Sequence, residues 1–405
     1  MTAARAPSTH WPAVLAVLAA GLAIAFNVGK VPVALPAMRD AFGLTLVQAG
    51  WVSSMLTAVS FSMAALTGMA VGRLGALRMT LAGLALCALA STATLAVHGV
   101  AGLLAARFVE GLGFMLVAVS CPALVSAASD PAQRRFAIGL WASYMPFGAG
   151  LVMAFAPWLL PRAGWQGLWI LTTLALLGAM ALLWTQRRHF GPMTPLRAAG
   201  GETFFAPVRA ALTQPLPWLL ALAFGMWATQ HFALIVWMPT WLAEQRGLTA
   251  GPIALLTGTM LLACVPGNVL GGWLVQRGVP RGALIAVAQG AVGLLAWGYA
   301  SDRLPDAARY AMAVAVSFVG GVIPAAVMAS STVLAKSPQQ IGTLQGLFMQ
   351  GAQIGQFVGT PLIAAVVAAS GRWTSALWVV GGASAIGVAL GVAAHRLEQG
   401  LSSAR

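Results

Sequence analysis

Apolar residues run through this chain in long uninterrupted stretches, and the polar residues between them come in short clusters. The apolar runs cover about residues 12–34, 48–70, 79–98, 101–127, 137–160 and 167–186. After a polar stretch they resume at about 217–240, 252–275, 283–300, 310–334, 343–369 and 374–395. Each is close to the ~20 residues that cross the hydrocarbon layer of a bilayer as a helix. A backbone surrounded by lipid has no water to bond, so runs of this length must satisfy their amides internally. The pattern therefore predicts an all-α membrane protein of twelve transmembrane helices. Trp11, Trp51, Trp158, Trp165, Trp184, Trp218, Trp241 and Trp373 fall near run ends, where amphipathic rings favour the headgroup level. The first run follows Arg5 as a signal peptide would, but it continues into 27–35 and is expected to stay as a span.

Composition agrees. The 405 residues are 60% hydrophobic and 7% charged, against roughly 25% charged in a soluble domain. A protein this apolar could not cover its surface in water. The net charge of +14 is carried by isolated arginines rather than a basic domain, which excludes a nucleic-acid partner. Its distribution instead orients the chain. With the N-terminus inside, the inner segments hold Arg5, Arg73, Arg78, Arg134, Arg135, Arg187, Arg188, Arg197, Arg209, Arg277, Arg281, Lys336, Arg396 and Arg405. The outer segments hold only Arg39, Arg162, Arg246, Arg303, Arg309 and Arg372. This positive-inside bias predicts cytoplasmic termini, multi-pass, in a bacterial inner membrane. Cys87, Cys121 and Cys264 lie singly in apolar runs, so neither a disulfide framework nor a metal site is expected.

The polar stretch 187–216 divides the chain nearly in half and is expected to link an N-terminal six-helix bundle, 1–186, to a C-terminal one, 217–405. The halves repeat. Pro36, Gly43, Leu44 and Thr45 match Pro239, Gly247, Leu248 and Thr249. Gly68 and Arg73 match Gly272 and Arg277, Pro131 and Gly139 match Pro338 and Gly346, and Pro157 matches Pro361, all at spacings of 203 to 207. A parallel repeat of this kind suits a transporter whose site lies between its halves.

These residues resemble the major facilitator superfamily. The loop after the second run reads Gly68-Met-Ala-Val-Gly72-Arg73-Leu-Gly75-Ala-Leu-Arg78, close to the family's G-x-L-A-D-R-x-G-R-[RK]-x-[RK]. Gly72 replaces the acidic residue, and the second copy, ending Gln276-Arg277, is more degenerate. Arg107, Gly111 and Gly113 resemble the R-x-x-x-G-x-G signature of the fourth span, and Gly164-Trp165-Gln166 looks like the family's G-W-R. The segment Asn27-Val-Gly-Lys30-Val-Pro32 is reminiscent of the cyanate-permease-like branch, with its basic residue displaced by one, and Gly139-Leu140-Trp141 points the same way. The fifth run departs from the drug–proton antiporter motif, because Gly139 and Gly148 are followed by Val152 and Met153. The resemblance implies the superfamily's twelve-helix fold and a conformational-switch loop at Gly68, Arg73, Gly75 and Arg78, with Arg277 in its second copy.

Ionisable groups inside a span need a partner or a cavity. Lys30 and Asn27 share a helical face, as do Arg107 and Glu110. Two cations and one carboxylate at one depth would form an anion trap, although Lys30 could instead snorkel and Arg107–Glu110 could be structural. Glu110 and His231 are the candidate proton carriers. Asn27, Lys30, Arg107, Tyr144, His231 and Gln353 are the candidate substrate ligands, with Gln356 beside them. The Gly351, Gly355 and Gly359 ridge reads as helix packing. No phosphate loop, HExxH or nucleophile elbow is present in the sequence, so no enzyme chemistry and no cofactor are expected. The reading is a secondary active transporter, a permease or symporter, moving a small anionic solute by alternating access as a monomer in the bilayer. Drug–proton efflux of cationic or neutral compounds and a non-transporting membrane sensor are the alternatives.

Overall fold

The computed structural model describes residues 9–58, 74–130, 144–190, 213–301, 303–335 and 338–403, with Gln133, Ala137, Leu140 and Trp141 between them. A first set of helices comprises α1 (Trp11–Phe42), α2 (described over 46–58), α3 (Ala76–Thr94), α4 (Val100–Ala128) and α5 (Tyr144–Thr185). A second set comprises α6 (Pro215–Arg246), α7 (Ala250–Leu262), α8 (Cys264–Gln276), α9 (Arg281–Ala300), α10 (Asp306–Gly320), α11 (Val322–Leu334), α12 (Pro338–Ser370) and α13 (Ala376–Ser403). Among the described residues, ten helical segments are long and apolar enough to cross a membrane. The rest of the second predicted run, with Gly68 and Arg73, lies outside the described residues, as do 191–212 of the linker.

Glycine and proline set the breaks. The fifth and sixth predicted runs are joined in α5 and divided at Gly164, whose φ of 59° is open to glycine. Pro266 and Pro324 have no N–H for the carbonyls four residues back, and α7 and α10 stop at those positions, Leu262 and Gly320. The two bent spans then touch closely. A Cβ on Gly267 would strike the Phe318 carbonyl, and one on Gly321 would strike that of Cys264.

The sequence repeat is a structural repeat at its caps. α1 and α6 are each 32 residues long and each ends in a left-handed glycine, Gly43 or Gly247, both at φ 60°. α1 runs eight residues past its predicted end at residue 34, because the apolar pattern continues through Pro36 and Met38 to Phe42. In the second set α12 packs along α6 through Gly351, Gly355 and Gly359, where any Cβ would meet the backbone of Ala221, Gly225 or Thr229. Trp165 departs from the interfacial expectation. It is 6% exposed and packs edge-on to Trp169 at 5.3 Å.

The two sets meet from mid-depth to the face opposite the N-terminus, here called the far face. Arg39 Nη1 bonds Glu244 Oε1 at 2.6 Å across the ends of α1 and α6. Trp51 packs on Phe357 at 5.3 Å, and Ser54 Oγ donates to the Gln356 carbonyl at 3.4 Å. Gly50 lies against Pro361, and Gly251 lies against Pro157. The last two pairs are pseudo-equivalent, since Pro157 and Pro361 are repeat partners. The far face is therefore sealed by α2 on α12 and by α7 on α5.

The Arg39–Glu244 pair is partly exposed, so it contributes no more than about 1 kcal/mol. Arg39→Glu should therefore raise far-face maleimide labelling of a cysteine placed at Ser54 by up to about fivefold, and the swap Arg39→Glu with Glu244→Arg should return it to the starting rate.

Candidate functional site

The sequence places Asn27 and Lys30 one turn apart on α1, and Arg107 and Glu110 one turn apart on α4. The structure brings all four together. Lys30 Nζ donates to Glu110 Oε1 at 2.7 Å, Asn27 Oδ1 at 2.8 Å and Ser91 Oγ at 2.9 Å. Its fourth neighbour is the face of Trp169, 4.5 Å from the ring centroid. Arg107 Nη1 donates to Glu110 Oε2 and, at 3.1 Å, to the Asn27 carbonyl. Arg107 Nε donates to the Val52 carbonyl of α2 at 3.2 Å. Each oxygen of Glu110 thus holds one cation.

Glycines position this cluster. A Cβ on Gly111 would strike the Leu56 carbonyl of α2, and one on Gly113 would meet Gly83 and Cys87 of α3. Their absence lets α4 lie against both helices and carry Arg107 and Glu110 into the interior. Lys30 and Glu110 are fully buried and Arg107 is 2% exposed. The snorkelling reading of Lys30 is overturned: the side chain points inward, to α3, α4 and α5, and its acceptors are all protein atoms. Two cations against one carboxylate leave the cluster with a net charge of +1. Two of its residues also carry buried donors without an acceptor among the described residues, Asn27 Nδ2 and Trp169 Nε1.

The other candidates lie apart. His231 is on α6, 6% exposed, with Nε2 3.1 Å from Ser317 Oγ and its ring stacked on Trp227 at 4.6 Å. Beside it Gln230 accepts from Ser384 Oγ at 2.9 Å and donates to Gln289 Oε1 at 3.1 Å. Tyr144 stacks on Trp141 at 4.4 Å. Gln353 is 8% exposed, and its Oε1 is buried without a partner among the described residues. Of the switch-loop residues, Gly75 caps α3 at φ 89°, Arg78 is exposed on its first turn, and Arg277 ends α8 with its guanidinium over Trp273. Cys87, Cys121 and Cys264 are free and buried.

Sequence reasoning missed Ser91 and Trp169, which complete the Lys30 site from α3 and α5. Trp169 had no distinguishing signal, because it lies two residues inside the predicted run 167–186, where a belt tryptophan is ordinary. Ser91 had none, since a lone serine in an apolar helix ordinarily bonds its own backbone. Cavities of about 420 and 360 Å³ lie at the far end of the second set, and none of Asn27, Lys30, Arg107 and Glu110 lines either.

Long apolar helices in two like sets, sealed on one face and holding paired charges at depth, define a polytopic membrane transporter. The chain belongs to the Major Facilitator Superfamily, whose sequence profile matches residues 15–360. It is similar to "Probable sulfoacetate transporter SauU" of Cupriavidus necator, 26% identical over 65% of this chain and 64% of that one. It is 29% identical to "Methylenomycin A resistance protein" of Streptomyces coelicolor, over 58% of this chain and 45% of that one. The chain thus spans less than two thirds of either relative. The "Gallate transporter" of Pseudomonas putida is 24% identical over 84% of both chains. In fold, the chain is similar to a solved bacterial homolog of the human lysosomal transporter Spinster in its inward-facing, unoccupied conformation. The TM-score is 0.74, with 16% identity over 96% of each chain.

Charge arithmetic orders the variants of the cluster. Lys30→Met or Arg107→Met leaves one neutral ion pair, whereas Glu110→Gln leaves two buried cations facing one neutral amide. Removing one partner of a buried pair costs about 3–5 kcal/mol. Glu110→Gln should therefore lower the unfolding temperature in detergent most, and Lys30→Met less; the reverse order would contradict the shared-carboxylate geometry.

Proposed function

We propose that this protein is a secondary transporter of small organic anions, driven by alternating access of two bundles, 1–186 and 217–405, about the linker 187–216. The observation that carries the reading is the buried Lys30–Glu110–Arg107 cluster, with its excess positive charge and its two donors, Asn27 Nδ2 and Trp169 Nε1, that lack acceptors among the described residues. In a medium of low dielectric that charge attracts an anion far more strongly than it would in water. Asn27, Lys30 and Arg107 are the proposed anion-recruiting residues, and Tyr144, His231 and Gln353 complete the pathway in this reading. The names of the sulfoacetate and gallate relatives support an anionic substrate.

Glu110 offers a simple coupling. Protonating it releases its hold on Lys30 and Arg107 and raises the local charge from +1 to +2. A proton there favours the anion, and by reciprocity the anion favours the proton. The coupling of this proposal is therefore symport, with His231 as a second proton carrier. The inner membrane, with both termini cytoplasmic, follows from the charge bias of the loops, and the far face is then the periplasmic one. A monomer suffices, because one chain supplies both bundles.

Export of a neutral or cationic compound is the second reading; the resistance named for the methylenomycin A relative fits export and does not bear on the charge of the substrate. Proteoliposomes separate the two. Sulfoacetate or gallate should accumulate saturably under an inward proton gradient, and Lys30→Gln and Arg107→Gln should each bring uptake to background while remaining monodisperse. Normal uptake by both variants refutes the cluster's role, and proton-driven extrusion of a lipophilic cation such as ethidium without anion uptake selects the export reading.

A further inference from the structure

The two cavities of the second set share Met238, Trp241, Arg246, Tyr299 and Arg309, so they adjoin. They lie among the far ends of α6, α9 and α10 and the turn that follows α12, away from the Lys30 cluster. Trp241 lines both. The guanidinium of Arg246 sits 5.2 Å from its ring centroid and that of Arg309 sits 5.3 Å from it. Arg246 Nη2 and Arg309 Nη1 reach one oxygen of Asp306, at 2.9 and 3.7 Å. Arg309 is 6% exposed and donates through Nε to the Tyr299 carbonyl at 2.7 Å. Arg372 lines the larger cavity and is exposed at the surface. Among the described residues, the ionic groups lining the two cavities are three guanidiniums and one carboxylate, and that carboxylate is 69% exposed. Arg246 Nε is buried and has no acceptor among the described residues.

The rest of the wall is largely aromatic and aliphatic, with Gln230, Gln245 and Thr374 as its uncharged polar members. Trp237 and Trp373 lie 5.9 Å apart at 54°, with Tyr299 lining the same space. A volume of about 420 Å³ is at the small end of ligand cavities. Guanidinium forks match carboxylate oxygens two at a time, and indole faces match a planar ring. A cation would meet the excess positive charge, and a neutral ring would leave the buried Nε of Arg246 without an acceptor.

We propose that this space binds a small aromatic carboxylate, its ring among Trp237, Trp241 and Trp373 and its carboxylate toward Arg246 and Arg309. The proposal rests on the organic-anion reading and deepens it, by adding a site at the far face distinct from the buried cluster. It also connects that site to the seal. Trp373 Nε1 donates to Glu244 Oε2 at 3.0 Å, and Glu244 is the residue that holds Arg39 of the first set. An occupant that displaces this indole acts on the far-face ion pair directly.

Benzoate titrated into the purified full-length protein in detergent, followed by calorimetry, tests the site, with benzylamine and benzyl alcohol as controls. The expected result is saturable benzoate binding at one per chain, at least tenfold weaker for both controls. Arg246→Gln and Trp241→Leu should weaken it about tenfold or more, and the surface variant Arg372→Gln, which leaves the fold untouched, several-fold. No benzoate binding by the unmodified protein, or binding unchanged in Arg246→Gln and Arg372→Gln, overturns the proposal. Anion flux in proteoliposomes is read separately, so loss of this site leaves the transport reading standing, and loss of flux with benzoate still bound does the opposite.

Discussion

Everything in the first set of helices is arranged around one carboxylate. Glu110 is fully buried and divides its two oxygens between Lys30 and Arg107. An isolated ion in that environment would cost several kcal/mol, and each partner is tolerable only while the others are present. The surrounding structure supplies what the charges lack. Asn27 and Ser91 fill the remaining donors of Lys30, Trp169 offers its ring face, and two helix carbonyls receive Arg107. The glycines of α4 exist in the same service, since a side chain at Gly111 or Gly113 would hold the helix away from α2 and α3.

The second set solves the equivalent problem without charge. Gln230 of α6, Gln289 of α9 and Ser384 of α13 bond one another where the first set joins Lys30 of α1 to Ser91 of α3 and Trp169 of α5. The helices are repeat counterparts and the chemistry is not. Amides tie helices together without a titratable group, whereas a shared carboxylate changes the net charge of its bundle with one proton. The asymmetry places the buried shared carboxylate in the first set, and the far-face cavity with its arginines gives the second set a different electrostatic character.

The seal between the sets obeys the repeat more closely than the interiors do. Gly50 on Pro361 and Gly251 on Pro157 are the same contact made twice, with the roles of the halves exchanged. A proline in a helix leaves a smooth, donor-free surface, and a glycine opposite it allows close approach. Such contacts slide and part without breaking hydrogen bonds of their own, which suits the alternating access proposed above. The Arg39–Glu244 pair adds an exposed and therefore weak lock, tied through Trp373 to the cavity behind it.

The sequence alone determined the membrane, the helices and the repeat. Long apolar runs have one hydrogen-bonded solution in lipid, so their number and rough limits are local properties, and Gly43 and Gly247 marked matching helix ends because only glycine is at ease in a left-handed cap. It also singled out Lys30, Arg107 and Glu110, because an ion in an apolar run is conspicuous. Tertiary structure decided where those ions point. Helical spacing put Lys30 near Asn27 and Arg107 near Glu110, but only the packing of α1 beside α4, which Gly111 and Gly113 hold close to α2 and α3, joined the pairs into one cluster. The same is true of Ser91 and Trp169, and of Arg246, Arg309 and Trp241, whose residue types are unremarkable at span ends. Their meaning comes from packing between distant helices, and close contact between helices depends on side-chain shape across the whole interface rather than on any pattern along one of them.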